Sequence, residues 1–154
     1  MPTPEQKLAE LGHVLPAAAA AVANYVPYTL SGTTLYVSGQ LPFRDGKVVY
    51  TGKLGGGVTR EDGYAAAQLC GLNLLAQARA ACGGDLGRVA RVLRLGGFVN
   101  STPDFVDSPK CLNGASDLMV AVFGDAGRHA RSAVNVVSLP LGAAVEIEAV
   151  FEIG

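Results

Sequence analysis

The chain has 154 residues, a length that fits one domain with a substantial core. Charged residues make up only 16% of it, against about 25% in an average globular domain, while apolar residues make up 49%. The formal net charge is −1 and no basic run occurs, which argues against a nucleic-acid partner but not against one small anion. The sparse charge favours a surface partly hidden in an oligomer; an alanine-rich monomer is the alternative interpretation.

Cysteine usage and the apolar runs bear on location. The three cysteines, Cys70, Cys82 and Cys111, and the two histidines show no metal-ligand spacing, so no metal site is predicted. An odd cysteine count without a signal peptide favours a reducing, cytoplasmic location. The run from Leu15 to Val22 is mostly alanine and contains Pro16, so it predicts neither a signal sequence nor a membrane span.

The N-terminal part predicts an extension followed by short strands. Residues 1–23 are expected to form a helix and an arm, with the helix over residues 4–11, between a proline and a glycine. The main domain is expected over residues 24–154. A Ser-Gly-Thr turn predicts a hairpin at its start. Three short strands are therefore expected, over residues 28–30, 34–38 and 47–50.

Two longer helices are predicted further along the chain. Thr59 suits the N-cap of the first, and Ser108 is expected to cap the second, with Pro109 in its first turn. The first helix has one packing face at helical spacing, made of Tyr64, Ala67, Cys70, Gly71, Leu74, Leu75 and Ala78. Strands are expected over residues 89–99, 131–139 and 144–153.

This order of elements predicts an α+β fold, with a mixed sheet and the two main helices on one of its faces. Alternation in the last strand places Glu146, Glu148 and Glu152 with Val150 on the other face. That face is either wet or closed by a neighbouring subunit.

The chemistry concentrates in the last two strands. Arg131 begins one of them, and a guanidinium stays charged and matches a carboxylate with its planar fork. Glu146 lies in the next strand and could move a proton or orient a water. A salt bridge from Arg131 to Glu148, and a surface role for Glu146, are the structural alternatives. We interpret the pair as part of a site for a small anionic substrate.

Several short blocks carry a family resemblance in their order and spacing. They are Tyr25-Val26, the Val-Ser-Gly-Gln-Leu-Pro run at residues 37–42, Ala130-Arg131-Ser132, and the alternating run at residues 145–150. Together they resemble the Rid family, the reactive intermediate deaminases or YjgF-type proteins, many of which are labelled perchloric-acid-soluble ribonucleases. The resemblance extends from residue 24 to the C-terminus.

The resemblance implies a homotrimer of chorismate-mutase-like fold, with pockets between subunits and no metal or organic cofactor. It implies hydrolysis of imines and enamines to 2-keto acids and ammonia. Arg131 would hold the substrate carboxylate and Glu146 would position the attacking water. Tyr25, Ser38 and Gly39 would line the pocket.

Two further residues complete the candidate site. Asn113 is the candidate for the family's pocket asparagine, and His129 replaces a proline that often precedes the Ala-Arg pair. Ala133 stands where the family commonly has a cysteine, so thiol chemistry is not expected there. A trimeric module that binds metabolites without turnover is the main alternative function. An endoribonuclease is a third, although the chain offers no basic groove for it.

Overall fold

The computed structural model describes residues 1–21 and 23–154; Val22, which belongs to the predicted arm, lies outside the described residues. The helices are α1 (Pro4–Glu10), α2 (Arg60–Ala81) and α3 (Ser108–Phe123). One sheet contains β1 (Tyr28–Ser31), β2 (Thr34–Gln40), β5 (Val89–Asn100), β6 (Ala130–Val136) and β7 (Val145–Ile153). A separate hairpin contains β3 (Phe43–Arg44) and β4 (Lys47–Val48). The predicted mixed sheet with helices is thus confirmed.

The sheet has the strand order β1-β2-β7-β5-β6. β5 and β6 are parallel and α3 connects them, whereas the other neighbouring strands are antiparallel. In the register, Leu95 of β5 lies between Arg131 of β6 and Ala149 of β7. Directly paired residues share a face, so this row places Arg131 on the side of the sheet that Leu95 faces.

The core lies between the sheet and the helices. The buried residues of β7 face this core, and they are Val145, Ile147, Ala149, Phe151 and Ile153. The residues between them, Glu146, Glu148, Val150 and Glu152, point to the other face and are partly or fully exposed. The predicted alternation of this strand is confirmed.

Helix α2 begins after Thr59, whose hydroxyl accepts a hydrogen bond from the Asp62 amide at 3.1 Å, as its N-cap position predicted. The helix is buried on more sides than the one predicted face, because the sheet, α3 and the N-terminal arm surround it. None of the helices within the described residues is long and apolar enough to cross a membrane.

Several local predictions were wrong, among them the strand expected over residues 131–139, which ends at Val136. Asp107 occupies the N-cap position of α3, while the Ser108 hydroxyl is buried and donates to Asn135 Oδ1 of β6. The strand expected over residues 47–50 ends at Val48, because its partner β3 is equally short. The turn between the two has positive φ at Asp45 (53°) and Gly46 (77°), the geometry that joins two-residue hairpins.

Candidate functional site

Arg131 is held on the helix side of the edge strand β6. Its Nη1 donates to Asn113 Oδ1 of α3 at 2.8 Å and to Ser116 Oγ, one helical turn further, at 3.1 Å. In the described part of the chain, its Nε and Nη2 donate to no protein acceptor and it forms no ion pair. The guanidinium therefore keeps one edge available for a carboxylate. The alternative of a salt bridge to Glu148 is wrong for a single chain, because that glutamate points to the other face.

His129 extends this group by one hydrogen bond. Its Nδ1 lies 2.7 Å from the Gly127 carbonyl, which can only accept, so Nδ1 carries the proton. In the neutral ring Nε2 is then an acceptor, and the Ser116 hydroxyl donates to it at 2.8 Å. Burial lowers the pKa of His129, and the positive charge of Arg131 lowers it further, against the opposing effect of the bond to Gly127. The neutral histidine thus orients Ser116 beneath the guanidinium.

Glu146 lies on the opposite face of the sheet, beside an irregularity in β2 between Val37 and Gln40. Its carboxylate packs directly on Gly39, where an added Cβ would lie 2.4 Å from Oε2. Burial raises the pKa of Glu146, and the negative charge of Glu148 raises it further. A carboxylate with a raised pKa is better suited to accept and return a proton near neutral pH.

A cavity of about 1250 Å³ opens beside this carboxylate. Four of the predicted site residues line it: Tyr25, Ser38, Gly39 and Glu146. The Ser38 hydroxyl donates to the Val26 carbonyl at 2.7 Å, so it fixes the segment that follows Tyr25. Residues 12–20 of the N-terminal arm line the same cavity.

The predicted residues therefore form two groups within one chain. The arginine group contains Arg131, Asn113 and His129, and the glutamate group contains Tyr25, Ser38, Gly39 and Glu146. Strand β5 separates Arg131 from Glu146, and the two side chains point to opposite faces of the sheet. A single chain does not bring the guanidinium and the carboxylate together.

Sequence reasoning missed Ser116 and the arm. The only signal for Ser116 was its position three residues after Asn113, which places both on one side of a helix. The arm carries no catalytic side-chain pattern, since its part of the cavity wall is mostly alanine.

Cysteine chemistry has little support at either group. All three cysteines are buried and free, and burial is the main cause that raises the pKa of Cys111 to about 11. Within residues 1–21 and 23–154, no cluster of three or more His, Cys, Asp or Glu side chains is placed to hold a metal ion.

Comparison with known proteins assigns the chain to a family. Residues 5–152 match the family described as "YjgF/chorismate mutase-like, putative endoribonuclease". Protein TCP17 of Trypanosoma cruzi is 52% identical over 147 residues, which cover 95% of this chain and 91% of that protein. The chain belongs to the YjgF/chorismate-mutase-like family, and the Rid resemblance read from its sequence blocks is confirmed.

Two solved structures extend the comparison. Protein Atu1372 of Agrobacterium tumefaciens, whose function is unknown, has a TM-score of 0.93 at 51% identity, covering 98% of this chain and 92% of its own. RidA from the Antarctic bacterium Psychrobacter sp. has a TM-score of 0.57 at 28% identity, covering 88% of this chain and 94% of its own.

Proposed function

We propose that this protein hydrolyses reactive 2-imino acids and their enamine tautomers to 2-keto acids and ammonia, at a site completed by a second copy of the chain. The observation that carries the proposal is the division of the candidate residues into two groups. Arg131 offers an anchor for a carboxylate, and Glu146 offers a carboxylate beside a cavity. Neither group supplies both functions, whereas two copies packed head to tail would join them.

The proposed assembly is a homotrimer. A head-to-tail contact joins two different surfaces of the chain, and its repetition closes into a ring. The resemblance to the Rid family implies that this ring contains three subunits. The low charged content of 16% is consistent with a large subunit contact, because charged residues are depleted at the centre of interfaces.

The arginine group would bind the substrate. The free edge of the Arg131 guanidinium would hold the substrate carboxylate in a two-pronged contact. Asn113 and Ser116 accept from Nη1, and His129 fixes Ser116, so the guanidinium is positioned before the substrate arrives. The imine carbon is already electrophilic, and positioning can therefore supply much of the rate.

The glutamate group would deliver water. Glu146 would orient a water towards the imine carbon and accept its proton as the C–O bond forms and the C=N electrons move to nitrogen. The proton would then pass to nitrogen, and the carbinolamine would lose ammonia as the C=O bond forms. One water is consumed for each 2-keto acid and ammonia released. Tyr25, Ser38 and Gly39 would border the substrate in the cavity.

A coupled imine assay tests this proposal. An amino-acid oxidase generates free 2-imino acids, semicarbazide traps them, and an active protein lowers the amount trapped. Arg131→Ala should lower kcat/KM by roughly a hundredfold, because removing one partner of a charge-assisted pair leaves the substrate carboxylate unanchored. Arg131→Lys should stay strongly impaired, since an ammonium cannot form the fork.

Arg128→Ala is the matched control. Arg128 is exposed, lies three residues before Arg131, and makes a 3.5 Å ion pair with the exposed Asp125. It should keep wild-type activity. Full activity of Arg131→Ala, with an unchanged circular dichroism spectrum, would contradict the proposal.

A metabolite-binding module without turnover is the second candidate function. Ala133 favours it, because the Rid family commonly has a cysteine at that place. It predicts calorimetric binding of a 2-keto acid that depends on Arg131, together with no imine hydrolysis. The endoribonuclease in the family description would instead cleave RNA, and a net charge of −1 gives little attraction to that polyanion. RNA cleavage by the purified protein would replace both candidates.

A further inference from the structure

The N-terminal arm forms one wall of the cavity that contains Glu146. The arm contributes Leu15, Pro16 and the alanines of residues 17–20, and α2 contributes Leu69 and Leu72 on the same cavity. The side chains of this part of the wall are apolar. The charged residues Arg44 and Asp45, which also line the cavity, are exposed.

The arm is fixed both before this wall and within it. On the N-terminal side, Leu8 of α1 is buried in the core and Glu5 accepts from the Leu86 amide at 2.7 Å. Within the wall, Gln77 Nε2 of α2 donates to the Ala19 carbonyl at 2.8 Å. A segment anchored in this way gives the cavity a defined shape.

One acceptor interrupts the apolar wall. Asn73 is only 3% exposed, and its Nδ2 lies within 3.3 Å of the carbonyls of Leu41, Phe43 and Leu69, which fixes the orientation of the amide. In the described part of the chain, Oδ1 has no protein donor. Asn73 also lines the cavity, so Oδ1 is the candidate acceptor for a ligand there.

We propose that the part of the cavity between the arm and α2 binds the side chain of the substrate, and that this side chain is large and apolar. This inference rests on the proposed imine hydrolysis. Six residues of the arm, with Leu69 and Leu72, line this part of the cavity, which is more apolar surface than a methyl or hydroxymethyl group can contact. An indole or phenol would fill apolar space and donate its N–H or O–H to Asn73 Oδ1. The preferred substrates are therefore aromatic 2-imino acids.

Binding of stable 2-keto acids tests the preference without requiring turnover. Calorimetry would compare pyruvate, 4-methyl-2-oxopentanoate and indole-3-pyruvate on the wild-type protein. Each buried CH₂ contributes about a fourfold gain in affinity, so we expect indole-3-pyruvate to bind at least about tenfold more tightly than pyruvate. Equal or tighter binding of pyruvate would overturn the inference.

A variant that fills the cavity provides the structural test. Ala17 lies on the cavity and is exposed, so Ala17→Trp adds a large ring to the wall without disturbing the core. It should weaken indole-3-pyruvate binding by about tenfold or more, because the added ring takes away the space in which the indole would be buried. Pyruvate binding should stay the same. Ala23→Trp is the matched control, because Ala23 is also exposed but is not part of the cavity wall. Equal effects of the two variants would overturn the inference.

The imine assay separates this inference from the proposed function. Turnover of aromatic imines that exceeds turnover of alanine-derived imine supports both. Turnover that favours the alanine-derived imine overturns the side-chain inference and leaves the deaminase intact. Absence of all turnover would remove the deaminase and with it the inference about its substrate.

Discussion

Glu146 carries its charge in surroundings that oppose it. Burial and the charge of Glu148 raise its pKa above the ordinary value of 4.5, so the folded chain binds this proton more tightly than the unfolded chain. The contribution of Glu146 to stability is therefore largest below pH 4.5 and is lost as pH rises through the raised pKa. In a single chain, an ionised Glu146 therefore costs stability at neutral pH.

We expect Glu146→Gln to raise the Tm of the dissociated chain at neutral pH and to abolish imine hydrolysis by the assembled protein, because the amide removes both the costly charge and the proton acceptor. The Tm difference should shrink towards pH 4, where the wild-type carboxyl is protonated as well. Thermal unfolding followed by circular dichroism across this range measures it. Glu152→Gln, at an exposed glutamate on the same face of β7, should change Tm little. A lower Tm for Glu146→Gln at pH 7 would refute this account.

Candidate site residues could be proposed from the sequence, but their grouping in the fold could not. Alternation and family blocks pointed to Arg131 and Glu146 as candidates, since each signal lies within a few residues. Their separation by β5 depends on the strand order, which no local pattern contains. Ser116 was missed because its role arises only where α3 packs on β6.

At the scale of elements, α2 and α3 approach closely at glycine. A Cβ on Gly114 would lie 2.1 Å from the Tyr64 carbonyl oxygen and 3.1 Å from the Gln68 amide nitrogen, both backbone atoms of α2. At Gly71 of α2, an added Cβ would lie 2.9 Å from a methyl of Leu118. The helices can keep this separation only with small residues at the contact.

We expect Gly114→Ala to lower stability by about 1–3 kcal/mol, the usual cost of overpacking. For a chain of this size the loss corresponds to a Tm decrease of about 2–4 °C per kcal/mol, measured by calorimetry. Helix propensity alone predicts the opposite sign, since alanine is favoured over glycine by about 1 kcal/mol. Lys110→Ala, at an exposed position of the same helix, serves as the control. A stabilised Gly114→Ala variant would show that the helix contact is looser than the structure indicates.

The long helix α2 and the strand β7 could be predicted from the sequence, whereas the packing of the arm on α2 and the short β3–β4 hairpin could not. Thr59 marked the start of α2 and alternation marked β7, because capping and periodicity are local properties. Periodicity assigned α2 one packing face, but the arm that covers another side lies about 50 residues away along the chain. Pairing of β3 with β4 was also missed, since two-residue strands leave no periodic signal.

At the scale of the whole molecule, the proposed ring takes Arg131 from one subunit and Glu146 from its neighbour at each site. Equal mixing of Arg131→Ala and Glu146→Gln chains, followed by subunit exchange, should then restore about a quarter of wild-type activity, because one site in four combines the two intact residues in a head-to-tail ring. A site built within one chain would recover none. The matched control mixes Arg131→Ala with the double variant, which supplies no intact arginine and should stay inactive.

Strand β6 lies at the edge of the sheet and contains no proline. Its residues on the helix-free face, Ala130, Ser132, Val134 and Val136, are uncharged. An exposed strand edge that has neither a proline nor a charge on its open face readily adds foreign strands and leads to aggregation. In the proposed ring, the contact that completes the pocket would also cover this edge. A subunit that fails to assemble would then be inactive and prone to aggregate at the same time, so defects of assembly would appear as insoluble protein rather than as a slow enzyme.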